Sequence, residues 1–188
     1  MKNLIVVLTL MIGSVFASNA QTPQTSNAGF VGYSFYTNDV AGKFGTLNYN
    51  KSTDAHGFNA SYTRFFAGGT SKNTVNTVGF TADFGANFNG KNESSLVTVM
   101  AGLTAQARNS KYVQPYARAL AGVARQNVRL NNVIDFSDTS MAYALVGGLD
   151  FNLKAYSRYK LRVGADFLST GFGGNRHSGT RITTGLVF

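Results

Sequence analysis

The sequence predicts an all-β fold, an eight-stranded antiparallel up-and-down transmembrane β-barrel, on three observations. The chain closes on RITTGLVF (181–188), where Ile182, Leu186 and Phe188 recur on one face and the last residue is aromatic. Beyond residue 27 apolar and polar residues alternate with period two in segment after segment, and capped helix-period patterns are missing there. The N-terminus has the form of an export signal, so the strands belong to a secreted chain.

That N-terminus begins with Lys2 and Asn3, runs through an apolar stretch over residues 4–16, and ends on Ala17, Ser18 and Ala20 before Gln21. Thr9, Gly13 and Ser14 interrupt the stretch and leave it short of the roughly 20 apolar residues of a spanning helix. Residues 1–20 are predicted to be a removed signal peptide, 21–27 a short periplasmic segment, and 28–188 one outer-membrane barrel domain.

Eight segments then follow. The first, residues 28–36, sets Val31, Tyr33 and Phe35 against Gly32 and Ser34. The second, 56–66, alternates Phe58, Ala60 and Tyr62 with Asn59, Ser61 and Thr63. In the third, 74–86, Val78, Phe80, Ala82 and Phe84 oppose Thr77, Gly79, Thr81, Asp83 and Gly85, the clearest alternation of the eight. The fourth, 96–107, separates Val97, Val99, Ala101, Leu103 and Ala105 from Thr98, Gly102, Thr104 and Gln106. The fifth, 113–124, places Tyr116 and Arg118 opposite Ala117, Ala119, Ala121 and Val123. The sixth, 141–152, carries Tyr143, Leu145, Leu149 and Phe151 on one face and Gly148 and Asp150 on the other. The seventh, 158–169, divides Tyr159, Leu161, Val163 and Phe167 from Lys160, Arg162 and Asp166, and the eighth, 178–188, closes the set. Each is near the roughly 9–11 residues of a tilted membrane-crossing strand. An aromatic girdle would draw on Tyr33, Phe35, Phe58, Tyr62, Phe66, Phe84, Tyr143, Phe151, Tyr159, Phe167 and Phe188.

A barrel with both termini in the periplasm alternates long outer loops with short inner turns. Outer loops are expected to start at Thr37, Asn87, Arg125 and Thr170, the first of them extending its two strands above the membrane. Inner turns are expected near Ala67, Asn109 and Lys154, with GGTS (68–71) and NSK (109–111) as turn chemistry.

Composition narrows the function. The chain holds no cysteine, which excludes disulfides and thiolate metal sites. A net charge of +9 is spread over singly placed Lys and Arg residues, so it suits anionic lipid phosphates at the rims and not nucleic acid. Twenty-one glycines, 15 phenylalanines and nine tyrosines against two prolines fit close-packed strands with aromatic belts.

From Val97 onward the chain resembles the outer-membrane-protein β-barrel domain family, the small eight-stranded barrels related to OmpX and to the transmembrane part of OmpA. The resemblance is carried by VQPYARALAGVAR (113–125), VGGLD (146–150), RVGADF (162–167) and the closing RITTGLVF, in that order and spacing. It implies an integral outer-membrane protein delivered by the outer-membrane assembly machinery, with Phe188 as the assembly signal.

With apolar faces toward lipid, the alternation turns Asp83, Arg118, Asp150, Lys160, Arg162, Asp166 and Arg181 into the lumen. Eight strands enclose a space that side chains nearly fill, so these charges are expected to pair into a plug. The function expected is a structural or interaction role in the envelope, by a monomer that contacts outer-membrane lipid and lipopolysaccharide. A low-conductance pore is the alternative. A soluble lipocalin-like binder fits less well, because that fold keeps its apolar residues inside. A lipid A-modifying enzyme would need a nucleophile and base on one face, whereas His177 and Ser178 are adjacent and point apart. No catalytic residue, cofactor or metal site is therefore expected: His56 reads as a rim residue, and Asp135 and Asp138 as a solvated outer loop. GFGG (171–174) reads as a flexible outer connection, and Arg64 as a cation snorkelling at the inner rim.

Overall fold

A computed structural model of the chain describes residues 27–44, 47–67, 76–90, 94–108, 112–130, 134–153, 159–172 and 176–188. The signal peptide, the segment up to residue 26, and the GGTS and NSK turns lie outside the described residues.

Period-two alternation produces eight strands, as expected. They are β1 (Asn27–Phe44), β2 (Leu47–Ala67), β3 (Asn76–Asn89), β4 (Ser94–Ala107), β5 (Val113–Leu130), β6 (Ile134–Asn152), β7 (Lys160–Thr170) and β8 (His177–Val187). Each pairs antiparallel with the next, and β8 pairs back onto β1, so the sheet closes and no edge is left. Following the register once around, from Lys160 through Val187, Phe30, Ser61, Asp83, Met100, Gly122 and Ala142, returns to β7 at Thr170, ten residues further along. That stagger tilts the strands by about 40° and leaves an interior just wide enough for side chains to fill.

The closing strand is fastened by the last residue. Gly29 N donates to Phe188 O at 2.8 Å and Phe188 N to Gly29 O at 2.9 Å, and the Phe188 ring lies against Gly29 where a side chain would collide with it. Both ends of the barrel segment thus meet at one rim, called here the near end. The opposite rim, the far end, carries the connections between β1 and β2, β3 and β4, β5 and β6, and β7 and β8.

At the far end the strands run longer than their alternation suggests. β1 and β2 continue as a ladder to Phe44 and Leu47, and β5 and β6 to Leu130 and Ile134. The extension of the first hairpin agrees with expectation, but the segment after Arg125 is paired strand and not a loop. Asp135 and Asp138 accordingly sit in β6 opposite Arg129 and Gln126. Apolar Val128, Leu130, Ile134 and Phe136 alternate there with Asn127, Arg129, Asp135 and Ser137, so period-two alternation continues into this tip, beyond the length of a membrane-crossing strand. Likewise His56 stands well inside β2, not at its start.

The outside is apolar. Of the expected girdle, Tyr33, Phe58, Tyr62, Phe66, Phe84, Tyr143, Tyr159, Phe167 and Phe188 are exposed, joined by Val99, Leu103, Leu145 and Ile182, while Phe35 and Phe151 are half-buried. A monomer in water does not carry so large a continuous apolar surface.

Candidate functional site in the barrel lumen

Because successive side chains alternate across a strand, the register that turns Phe84 outward turns Asp83 inward. All seven charged residues singled out from the sequence have inward parity. Asp83, Arg118, Asp150, Arg162, Asp166 and Arg181 are each at most 6% exposed, and Lys160 is half-buried at the near end.

The structure brings them into two groups. Near the termini, Arg162 holds Asp150 bidentately, Nε donating to Oδ1 at 2.6 Å and Nη2 to Oδ2 at 2.7 Å. Gln106 Nε2 donates to the same Oδ2 at 2.7 Å, and Lys160 Nζ donates to Gln114 Oε1 at 2.7 Å. Arg108, which the sequence reading missed, joins this group: its Nε donates to Gln106 Oε1 at 3.2 Å while its guanidinium stacks 3.6 Å from the Phe65 ring centroid. It follows the last residue of β4, where alternation no longer signals which way a side chain points.

Midway along the barrel, Asp83 and Asp166 share Arg181. Arg181 Nη2 lies 2.5 Å from Asp166 Oδ2 and 3.3 Å from Asp83 Oδ1, and Asn59 Nδ2 donates to that same Asp83 oxygen at 3.0 Å. Arg181 crosses the lumen from β8 to reach β3 and Thr98 on β4, and it does so over Gly85: a Cβ there would collide with its Nη1. Arg118 is held more loosely, 3.9 Å from Asp83 Oδ2 and donating to Ser61 Oγ at 3.1 Å. Its Nε and Nη2, and Oδ1 of Asp166, have no hydrogen-bond partner among the described residues.

Tyr116 links the two groups. Its ring lies 4.4 Å from the Arg162 guanidinium and 4.9 Å from that of Arg118, a contact that favours cations over an aromatic face. Its hydroxyl fills the space over Gly164, where a Cβ would displace it. On the opposite wall Thr63, Thr81 and Thr104 form a buried chain of hydroxyl contacts.

The lumen also holds carbon, which the expectation of a polar lumen did not foresee. Tyr36, Ala55, Leu96, Met100, Tyr116, Leu120, Ala124, Ala142, Ala144, Val146 and Leu168 form one cluster that runs from beside the ion pairs to the far end, where buried Ser34, Asn87 and Thr170 adjoin it, and Phe172 joins it from the connection after β7. Phe172 is 5% exposed, so this part of the GFGG run is seated in the mouth of the barrel and is not a solvated loop.

The remaining candidates fall elsewhere. Arg64 faces outward and is exposed near the near end. His56 also faces outward, where it shares a hydrogen bond with the Tyr33 hydroxyl and packs 5.1 Å from the Phe35 ring. His177 is buried on the lumen side while Ser178 is exposed, so the pair points to opposite faces. Among the described residues no three His, Cys, Asp or Glu side chains converge. A charged interior inside an apolar wall is the reverse of the lipocalin arrangement.

No family model matches this chain, and no curated protein matches its sequence. Solved structures do match its fold. Neisserial surface protein A is similar at 14% identity with a TM-score of 0.66, over 87% of this chain and 96% of that one. The N-terminal β-barrel domain of Pseudomonas aeruginosa OprF matches at 14% identity and a TM-score of 0.51, covering 87% and 98%. The outer membrane protein OprG from Pseudomonas aeruginosa matches at 12% identity and a TM-score of 0.50, covering 91% and 98%. At such low identity the likeness speaks of architecture: the chain has the fold of the small eight-stranded outer-membrane barrels.

Proposed function

We propose that the chain is an integral outer-membrane barrel with a structural or interaction role in the bacterial envelope, its lumen plugged and its far-end hairpins held outside the cell. The observation that carries this reading is the inversion of polarity, with aromatic and aliphatic side chains outside and hydrogen-bonded ion pairs inside. Only a lipid surround makes the exterior favourable, and only pairing makes the interior so. With the near end in the periplasm, β1 to β2 and β5 to β6 form the two tallest hairpins on the cell surface.

The protein works as a monomer in this reading, because closure removes every sheet edge. Basic residues at the rims contact lipid and lipopolysaccharide phosphates, and Phe188 is the feature that the outer-membrane assembly machinery reads. The interior charges serve the wall: Arg162 with Asp150 and Arg181 with Asp166 fasten neighbouring strands, and Arg181 also reaches from β8 to Asp83 on β3. A low-conductance pore is the second reading, and it rests on Arg118, whose pairing is the loosest of the four ion contacts described.

The test is refolding of the mature chain into lipid, with folding read by the mobility difference between unboiled and boiled samples, followed by single-channel recording. A folded, silent barrel is the expected result. Reproducible conductance steps would overturn the plug and favour the pore.

A further inference from the structure

Charge beyond residue 20 is divided unevenly along the barrel axis. At the near end Arg64, Arg108, Lys160 and Arg162 stand with Asp150 as their one carboxylate among the described residues. Lys72, Lys111, Lys154 and Arg158 lie outside the described residues, but by sequence they belong to the three connections that join strands at this same end. Midway, Arg118 and Arg181 balance Asp83 and Asp166. By sequence the far end holds Lys43, Lys51, Lys91, Arg125, Arg129 and Arg176 against Asp39, Asp54, Glu93, Asp135 and Asp138. Eight cations to one carboxylate at one end, and six to five at the other, leave nearly all of the excess charge at the near end.

We propose that the near end is a cationic collar for the anionic phospholipid headgroups of the inner leaflet, with Arg64 as its contact on the outer wall. The proposal rests on the orientation given above, near end in the periplasm, and sharpens its lipid contact: the far rim, on the side of lipopolysaccharide, is close to neutral. The position of Arg64 favours lipid over a soluble acidic partner. It comes three residues before the end of β2 and faces outward, exposed between Tyr62 and Phe66 on the same face and in register with Phe80 of β3. A partner docked on the end of the barrel would not meet this part of the wall. A phosphate at headgroup depth would, since the guanidinium extends to it along an apolar stem while the neighbouring rings stay in hydrocarbon. Exposed Phe66, Tyr112, Leu153, Tyr159 and Phe188 surround the same end and supply the aromatic belt of a membrane interface. Arg108, Lys160 and Arg162 add to the positive field at that rim from inside the mouth, where Asp150 alone offsets them among the described residues.

The test is which lipid collects around the folded barrel. The chain is refolded in vesicles of phosphatidylcholine and phosphatidylglycerol, the gel shift confirms folding, and association of spin-labelled phosphatidylglycerol is compared with that of spin-labelled phosphatidylcholine. Wild type is expected to prefer phosphatidylglycerol by at least about fivefold, the effect of one basic residue near an anionic surface, and to lose the preference at about 0.5 M salt. Arg64→Gln should remove most of that preference. Arg125→Gln, which neutralises an exposed arginine of the far rim, should change it by less than about twofold, because the charge around it is balanced. No preference in wild type, or an equal loss from both variants, would overturn the proposal. So would an unchanged preference in Arg64→Gln with soluble polyglutamate binding to barrels in pure phosphatidylcholine, which would assign the collar to a soluble acidic partner. A chain without the folded gel band in either lipid would overturn the membrane reading itself, and this proposal with it.

Discussion

The ion pairs and the apolar cluster of the lumen solve one packing problem with opposite chemistry. From the near end to the middle, bulky charged side chains of neighbouring strands meet in bidentate or shared ion pairs, as Arg162 meets Asp150 and Arg181 meets Asp166. Farther along, Leu96, Ala124, Leu168 and Phe172 fill the same width with carbon beside buried Asn87 and Thr170, while Met100 and Val146 stand level with the ion pairs as register partners of Asp83 and Asp166. The apolar cluster gains from any close-packed filling, and volume-conserving swaps there are tolerated. The charged network is all or nothing, because taking out one partner strands the other in a site that water does not reach freely. Charge therefore specifies which strands face each other, and carbon closes the remaining space.

Mutations in the network and in the cluster should separate these roles. The largest loss is expected from Arg181→Met, which leaves Asp166 and Asp83 without their shared cation and should cost about 3–5 kcal/mol. Urea unfolding from lipid measures it, and a loss under 1 kcal/mol would mean that the carboxylates are solvated. Adding Asp166→Leu to that variant should recover part of the loss, since two apolar groups no longer bury a charge. Gly85→Val should come next, at about 1–3 kcal/mol, because its side chain occupies the path of Arg181 across the lumen. Leu120→Met in the apolar cluster should fall below about 1.5 kcal/mol by the same assay. Smallest of all is Arg125→Ser at the exposed far rim, where the contact from Arg125 Nε to Ser137 Oγ at 3.2 Å should be worth less than about 0.5 kcal/mol.

Phe188 gives a prediction of another kind. Its backbone closes the seam with Gly29 and its ring faces outward, so Phe188→Ser keeps both backbone bonds and removes only the aromatic. Outer-membrane levels of that variant should fall well below those of wild type. Unchanged levels would separate the residue from assembly.

The strands were legible because a wall with lipid on one side and ion pairs on the other forces period-two alternation, seen most clearly from Val78 to Gly85. The inward charges followed from the same pattern. What the pattern hid had specific physical causes. In the middle of β6, Ala142, Ala144 and Val146 point inward while Met141, Tyr143 and Leu145 point outward, so both faces are apolar and alternation disappears. The interior apolar cluster was invisible for that reason. The paired tip of β5 and β6 was readable, since Val128, Leu130, Ile134 and Phe136 alternate with Asn127, Arg129, Asp135 and Ser137; it was passed over because it runs beyond the length that crosses a membrane. Phe172 gave no periodic signal because it belongs to no strand.

The central claim is the inversion itself, an apolar exterior in lipid around a closed interior. The chain holds no tryptophan, so a single Phe84→Trp substitution on the outer face of β3 makes a clean fluorescent probe. Refolded in vesicles of lipids brominated along their acyl chains, this variant should lose most of its emission, while a Leu168→Trp probe on the inner face should keep it. Equal quenching of both, or no quenching at Phe84→Trp, would contradict the account.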